Sequence, residues 1–166
     1  MSPAVSSLSR SSADTFKLGY RFAELLEPGA GVALIGDLGA GKTVFVKGVC
    51  ASLGISENIT SPTFTLMREY PAELPVLHFD LFRLHSPQEL AAIGFDEYLL
   101  QRGIVLVEWA DRIMQYCDIL PWWIQFEFSS LSEDYRQITI SLHNRTSPAQ
   151  VKAFLAFTTQ LQMENG

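Results

Sequence analysis

The chain has 166 residues, of which 48% are hydrophobic and 18% are charged, so it can bury a core without disulfide bonds. Its formal charge of −6 argues against a protein that grips nucleic acid through its whole surface, because such binding neutralises phosphates with lysine and arginine. No apolar run approaches the roughly 20 residues of a membrane helix, and residues 1–12 lack the apolar core of a secretory signal. We therefore expect a flexible tail over 1–11, a single domain over 12–166, a cytoplasmic location, and reduced, structural thiols at Cys50 and Cys117.

The first half of the chain predicts a helix, a buried strand and a second helix, in that order. Helical spacing of apolar residues begins near Ser12 and ends at the Pro- and Gly-rich segment 28–31. The wholly apolar run 32–35 is typical of a strand buried on both faces. After a glycine loop, a second helix is expected over 42–53, with Gly54 ending it.

The second half predicts more strands, and the first two of them are antiparallel. Only five residues separate the strands expected over 64–70 and 76–82, which is too short for a parallel crossover. The remaining expected elements are a helix from Ser86 to Ile93 broken by Gly94, a turn over 96–100, a buried strand over 104–107, a short helix over 111–116, a hairpin of 123–128 and 137–143, and a helix over 148–161. The sheet is therefore expected to be mixed.

The strongest chemical signal is the segment Gly36-Asp37-Leu38-Gly39-Ala40-Gly41-Lys42-Thr43, which matches the phosphate-binding pattern G-x-x-x-x-G-K-[ST]. Glycines let successive backbone N–H groups point at phosphate oxygens, and the next helix turns its positive end to the same phosphates. Lys42 can bridge the outer phosphates, and the Thr43 hydroxyl can ligate Mg²⁺. The expected nucleotide-binding residues are Asp37, Leu38, Gly39, Ala40, Gly41, Lys42, Thr43 and Val44. The fold class expected is α/β, a single-domain P-loop NTPase fold with a mixed, partly antiparallel central sheet flanked by helices.

Two acidic residues, Asp80 and Glu108, each stand at the end of a hydrophobic strand. A P-loop enzyme needs a carboxylate at such a place to hold Mg²⁺ directly or through water. The other interpretation is that each reaches solvent or pairs with an arginine, because a buried unpaired acid is costly. Together with the phosphate loop, the pattern favours both as metal-site residues, and it leaves open which of them ligates the metal.

Four further residues have a functional and a structural interpretation. His78 lies two residues before Asp80 and shares its side of the strand, but a satisfied structural histidine is the favoured interpretation. Trp109 can pack over the site or in the core. Ser61 and Thr63 offer hydroxyls in a loop after the phosphate-loop helix, where many P-loop switches contact metal or the terminal phosphate.

The residues alone indicate a small Mg²⁺-dependent ATPase or NTPase. The guanine-reading motif Asn-Lys-x-Asp is missing, and no arginine cluster resembles a kinase lid. Two alternatives remain open: a small-molecule kinase, and a non-catalytic binding module that ATP gates, in which hydrolysis is incidental.

The motifs also occur in an order that resembles the TsaE family, small bacterial P-loop ATPases of tRNA threonylcarbamoyladenosine biosynthesis. The matching blocks are Leu18-Gly19, the phosphate loop, Ser61-Pro62-Thr63-Phe64, His78-Phe79-Asp80-Leu81-Phe82-Arg83-Leu84, Pro87-Gln88-Glu89-Leu90 and Val107-Glu108-Trp109. The resemblance implies ATP or ADP and Mg²⁺ as ligands. It also implies TsaD-like and TsaB-like partners, with tRNA reached through that complex and this ATPase letting it turn over.

The resemblance implies roles for individual residues. Lys42 matches the phosphate lysine and Thr43 the Mg²⁺ hydroxyl, Glu108 matches a metal-site glutamate, and Asp80 matches a Walker-B-type aspartate. Together these imply catalytic roles for Lys42, Asp80 and Glu108, and metal binding by Thr43, Glu108 and Asp80. Ser61 and Thr63 match a switch-like loop, Trp109 matches a tryptophan associated with the nucleotide, and Ser12 lies where the adenine is expected.

Overall fold

The computed structural model describes residues 2–143 and 146–165, apart from the side chains of Cys117 and Asn165. Within those ranges the strands form one sheet with the order β1-β7-β6-β2-β5-β4-β3. The strands are β1 (Ala4–Ser9), β2 (Gly31–Ile35), β3 (Met67–Tyr70), β4 (Val76–Asp80), β5 (Ile104–Glu108), β6 (Trp122–Phe128) and β7 (Arg136–Leu142). The predicted mixed sheet is confirmed.

The centre of the sheet is parallel and its flanks are antiparallel. Strands β6, β2, β5 and β4 run parallel to one another, whereas β7 and β1 on one side and β3 on the other pair antiparallel. The antiparallel pairing of β3 with β4 agrees with the short separation between them. Because the central strands are parallel, their carboxyl ends meet at one edge, where ligands bind in open α/β sheets.

Helices cover both faces of this sheet. They are α1 (Ser12–Phe22), α2 (Lys42–Ser52), α3 (Pro87–Ala92), α4 (Phe95–Leu99) and α5 (Pro148–Asn165), with 3₁₀ segments at Ala23–Leu25 and Ala110–Ile119. Helix α1 begins where the Ser11 hydroxyl accepts a hydrogen bond from the Asp14 N–H at 3.1 Å. Gly54 follows α2 with φ +80°, as expected of a glycine that ends a helix. No helix in the described ranges is long and apolar enough to cross a membrane.

Alternation along the central strands sends neighbouring side chains to two separate cores. Leu106 packs in the core that includes residues of α1, α2 and α5, and Val107 packs in the core that includes residues of α3 and α4. His78, Asp80 and Glu108 have the strand positions of the first face, and so they lie on the side of α2.

The expectation of a flexible tail over residues 1–11 is wrong for Ala4–Ser9. This segment is the edge strand β1 and pairs with β7 through six residues. Val5 is only 6% exposed, and the hydroxyls of Ser6 and Thr139 lie 2.8 Å apart. The serines indicated a loose segment, but at a sheet edge they face solvent or hydrogen-bond while the backbone pairs with the neighbouring strand.

The structure also differs from the expectations at the start of β3 and over 111–116, and it buries Cys50, one of the two cysteines. Strand β3 begins at Met67 rather than 64, because Leu66 takes a left-handed backbone conformation with φ +64° that interrupts an extended strand. The helix expected over 111–116 is a longer, kinked 3₁₀ segment with non-helical geometry at Ile113. Cys50 is a buried free thiol, and the prediction for Cys117 falls on a side chain outside the described residues.

Candidate nucleotide-binding site

A glycine loop joins the carboxyl end of β2 to the N-terminus of α2. Gly39 has φ +76° and Gly41 has φ +103°, conformations that side-chain-bearing residues rarely adopt. Gly41 is the residue immediately before α2, so the loop curls directly into the first helical turn. The positive end of an 11-residue helix therefore faces the space that the loop encloses.

A cleft of about 310 Å³ opens at this edge of the sheet. Its lining brings together residues from four separate motifs of the sequence, and it includes Phe82, which was not among the expected site residues. The lining residues are Leu38, Gly39, Ala40, Gly41, Lys42, Thr43, Val44, Ser61, Thr63, Asp80, Phe82, Glu108 and Trp109. Asp37 does not line the cleft, although its carbonyl contacts Lys42.

The Lys42 ammonium is held against the loop that precedes it. Its Nζ donates hydrogen bonds to the carbonyl oxygens of Gly36 and, at 2.9 Å, Asp37, and lies 4.1 Å from the centre of the Trp109 ring. Burial lowers the pKa of Lys42, and the nearby carboxylates of Glu108 and Asp80 oppose that shift. The amino group of Lys42 thus lies in the cleft beside the helix N-terminus.

Glu108 connects the first turn of α2 with the strand β4. Thr43 Oγ1 donates to its carboxylate, 2.8 Å from Oε1 and 3.1 Å from Oε2. His78 Nε2 lies 2.8 Å from the same Oε1. Among the described residues, Glu108 neither reaches solvent nor pairs with an arginine: its side chain is 4% exposed, and its hydrogen bonds go to Thr43 and His78.

Asp80 holds the loop that carries Ser61 and Thr63. Its Oδ2 accepts hydrogen bonds from the Ser61 hydroxyl and, at 3.0 Å, from the Thr63 hydroxyl, while Oδ1 accepts from the Phe82 N–H at 2.9 Å. Asp80 is 3% exposed, so these bonds offset much of the cost of burying its charge. The carboxylate therefore ties the loop to the end of β4.

Trp109 lines the cleft and also packs against the core on the side of α3 and α4. Its backbone is left-handed, with φ +59° and ψ +39°, an outlier for a bulky residue that costs about 1–2 kcal/mol. This conformation turns the chain immediately after Glu108. The indole lies beside Lys42 and packs on the Phe82 ring with 5.0 Å between centroids. Two sequence signals could have marked Phe82: it follows a strand-ending acid by two residues, and it lies inside the matching block that runs from His78 to Leu84.

The oxygen donors in the cleft fit Mg²⁺, provided that a nucleotide completes its coordination. Two nearly buried carboxylates, Asp80 and Glu108, are paired across neighbouring strands with one ammonium, Lys42, beside them. Carboxylate and hydroxyl oxygens are the ligands that Mg²⁺ prefers, together with phosphates and water. No group of three or more His, Cys, Asp and Glu side chains in the described part of the chain could hold a metal ion. The fit is therefore to a metal shared with phosphates.

A second, smaller cleft of about 90 Å³ lies on the other side of the glycine loop. Ser12 and Thr15 of α1 line it, together with Arg136 of β7, whose Nη2 lies 3.3 Å from the Gly39 carbonyl oxygen. The structure thus brings Ser12 next to the phosphate loop.

A glycine loop with Lys42 and Thr43 at the start of a helix, at the edge of a parallel sheet, defines a P-loop nucleotide-binding protein. The family model described as "Threonylcarbamoyl adenosine biosynthesis protein TsaE" matches residues 9–139. The chain therefore belongs to the TsaE family.

Individual relatives agree with this assignment. A Treponema pallidum protein named tRNA threonylcarbamoyladenosine biosynthesis protein TsaE is 39% identical over 134 residues, which cover 81% of this chain and 98% of that protein. A Bacillus subtilis protein of the same name is 40% identical over 121 residues, 72% of this chain and 73% of that protein. The crystal structure of Bacillus subtilis YdiB superposes with a TM-score of 0.75 at 28% identity, over 100% of this chain and 99% of that one.

Proposed function

We propose that this protein is an Mg²⁺-dependent ATPase that supports turnover of a TsaD–TsaB complex during threonylcarbamoyl modification of the tRNA adenosine next to the anticodon. The observation that carries the proposal is the meeting of Lys42, Thr43 and Glu108 in one cleft at the N-terminus of α2. Phosphoryl transfer depends on positioning and on charge stabilisation by such groups. Membership of the TsaE family supports the connection with tRNA modification.

In this proposal the phosphates of ATP bind the N–H groups of the glycine loop. Lys42 then exchanges its contacts with the Gly36 and Asp37 carbonyls for contacts with the outer phosphate oxygens. The nucleoside extends toward the smaller cleft that Ser12 and Arg136 line. Trp109 and Phe82 cover the phosphate side and limit access of water.

Thr43, Glu108 and Asp80 are the residues proposed for the metal site. Thr43 and Glu108 contact the metal directly in this proposal, and Asp80 acts indirectly. Bound Mg²⁺ supplies charge neutralisation for the phosphates and the departing ADP. Glu108 is the proposed direct partner of the metal, because its carboxylate already contacts the Thr43 hydroxyl. Asp80 acts through the loop of Ser61 and Thr63, whose hydroxyls it holds near the place of the terminal phosphate.

The proposed partners are TsaD-like and TsaB-like proteins in the cytoplasm. The net charge of −6 suits a subunit that reaches tRNA only through the complex. The loop of Ser61 and Thr63 can report to the partner proteins whether ATP has been hydrolysed, because loop hydroxyls that lose a phosphate partner can lose order.

The test is ATP hydrolysis by the purified chain, with Mg²⁺ or with EDTA, alone and with a TsaD–TsaB pair plus tRNA. We expect slow Mg²⁺-dependent hydrolysis alone and a changed rate with the partners. Thr43→Ala should lower the rate about 100-fold, in line with the loss of one charge-stabilising contact. Lys47→Ala, an exposed change on the same helix, is the control. If Thr43→Ala, Asp80→Ala and Glu108→Ala all kept partner-dependent turnover, the proposed mechanism would be wrong.

The same preparation separates the kinase alternative. A screen of small metabolites should yield only ADP and inorganic phosphate. A phosphorylated metabolite formed at a rate above that of hydrolysis would favour the kinase instead.

A further inference from the structure

His78 is buried beneath the cleft, and its hydrogen bond goes to Glu108. Its Nε2 lies 2.8 Å from Glu108 Oε1, and its side chain is 0% exposed. An ionised carboxylate only accepts hydrogen bonds, so Nε2 carries the proton and donates it. The other ring nitrogen, Nδ1, is buried without a hydrogen-bond partner among the described residues.

Packing alone does not account for a polar ring at this place. On the same sheet face, Val76 and Asp80 flank His78 along β4, and Arg68 of β3 and Leu106 of β5 lie opposite it. The Tyr70 ring lies 6.4 Å away, centroid to centroid. A buried nitrogen without a partner is costly, and an aliphatic side chain would avoid that cost. Compared with an aliphatic side chain, the imidazole contributes the hydrogen bond to Glu108.

The two donors on Glu108 restrict how its carboxylate can turn. Oε1 accepts from both His78 Nε2 and Thr43 Oγ1, each at 2.8 Å, whereas Oε2 has the longer 3.1 Å contact with Thr43. A glutamate has three rotatable side-chain bonds, and a donor fixed on a neighbouring strand removes much of that freedom. Oε2 is thereby the oxygen with the fewer donors, and so the one with more capacity for a further partner.

We propose that His78 is a positioning residue, whose Nε2–H holds the Glu108 carboxylate so that Oε2 faces the magnesium nucleotide. This inference rests on the proposed function. Carboxylates that ligate metals are themselves held by hydrogen bonds, and loss of such a partner typically costs roughly 10–100-fold in metal affinity or activity.

The test compares three variants of the full chain. His78→Leu removes the donor at similar volume, and His78→Gln keeps an N–H at comparable reach. Leu106→Val, opposite His78 in the register of β4 and β5, thins the same core without touching the donors of Glu108. ATP affinity is measured by calorimetry with Mg²⁺ and with EDTA, and kcat is measured alongside, on samples whose folded fraction is matched by circular dichroism.

The gain that Mg²⁺ gives is the ratio of the ATP affinity with Mg²⁺ to the ATP affinity with EDTA. We expect His78→Leu to reduce this gain about tenfold, while its ATP affinity in EDTA stays within about twofold of the wild type. His78→Gln should recover most of the gain, and Leu106→Val should keep it. If His78→Leu does not fold, His78→Asn replaces it, because its shorter side chain holds the amide away from Glu108.

Three results would overturn the inference: an unchanged gain in His78→Leu, a His78→Gln variant no better than His78→Leu, or an equal loss in Leu106→Val. Each of these leaves the proposed function standing if wild type binds and hydrolyses ATP with Mg²⁺. A wild type that shows no such binding would overturn the proposed function itself.

Discussion

Helices α1 and α2 approach so closely at Gly48 that even the methyl group of a Gly48→Ala substitution should destabilise the protein. A Cβ on Gly48 would lie 2.1 Å from the Phe16 carbonyl oxygen and 2.8 Å from the Tyr20 amide nitrogen. Both are backbone atoms, which cannot rotate aside. Reaching ordinary contact would require the helices to separate by about 1.3 Å.

Two effects of Gly48→Ala oppose each other, and their sizes decide the sign. Alanine favours a helix interior over glycine by about 1 kcal/mol. Overpacking costs typically about 1–3 kcal/mol, and a clash with backbone belongs at the upper end. We therefore expect a net loss of about 2 kcal/mol in the free energy of unfolding. Because α2 begins at Lys42, the displacement should also weaken ATP binding.

Urea unfolding followed by tryptophan fluorescence measures this loss. Lys47→Ala is the matched control, since Lys47 precedes Gly48 on α2 and is exposed; it should change stability by less than about 0.5 kcal/mol. A Gly48→Ala protein as stable as wild type, or more stable, would refute the packing argument and leave helix propensity as the dominant effect.

Three further perturbations test other parts of the structure. Gly41→Ala forces a Cβ into φ +103°, so ATP affinity measured by calorimetry should fall about tenfold, and an unchanged affinity would contradict the need for that loop geometry. Asp80→Ala removes the hydrogen bonds to Ser61 and Thr63, so amide hydrogen exchange of that loop should rise about tenfold, and equal exchange would show that other contacts hold it. Burial raises the pKa of Cys50 to about 12, so in a Cys117→Ser chain the native thiol should resist alkylation at pH 8 and react after unfolding. Rapid alkylation of the native protein would contradict the burial of Cys50. Because the folded state holds the thiol proton more tightly than the unfolded state, the contribution of Cys50 to the free energy of unfolding should fall as pH rises from about 9 toward 12.

The parts of the fold that depend on local signals could be predicted from the sequence. The apolar run of β2, the glycine pattern and the helical spacing of α2 lie next to one another in the chain, and each has its own signature. The short connection between β3 and β4 fixed their antiparallel pairing for a similar reason. The cleft could be anticipated because both strand-ending acids lie on parallel strands whose carboxyl ends share an edge.

Contacts between distant segments could not be predicted in this way. Strand β1 is ordered by β7, more than 100 residues later, and its serine-rich sequence carries little signal of its own. The contact of His78 with Glu108 joins residues 30 apart and depends on the order and register of β4 and β5. The left-handed backbone of Trp109 likewise results from tertiary packing, because isolated tryptophan disfavours it.

The most direct test of the central claim is the number of tRNA molecules modified per TsaD–TsaB complex in the presence of this chain. The measurement compares ATP with a non-hydrolysable analogue, each with Mg²⁺. We predict many rounds of threonylcarbamoyl transfer with ATP and no more than one round with the analogue, because the proposed function makes turnover depend on hydrolysis in the cleft of Lys42, Thr43 and Glu108. Many rounds with the analogue would contradict the ATPase account and favour a binding module that ATP merely gates.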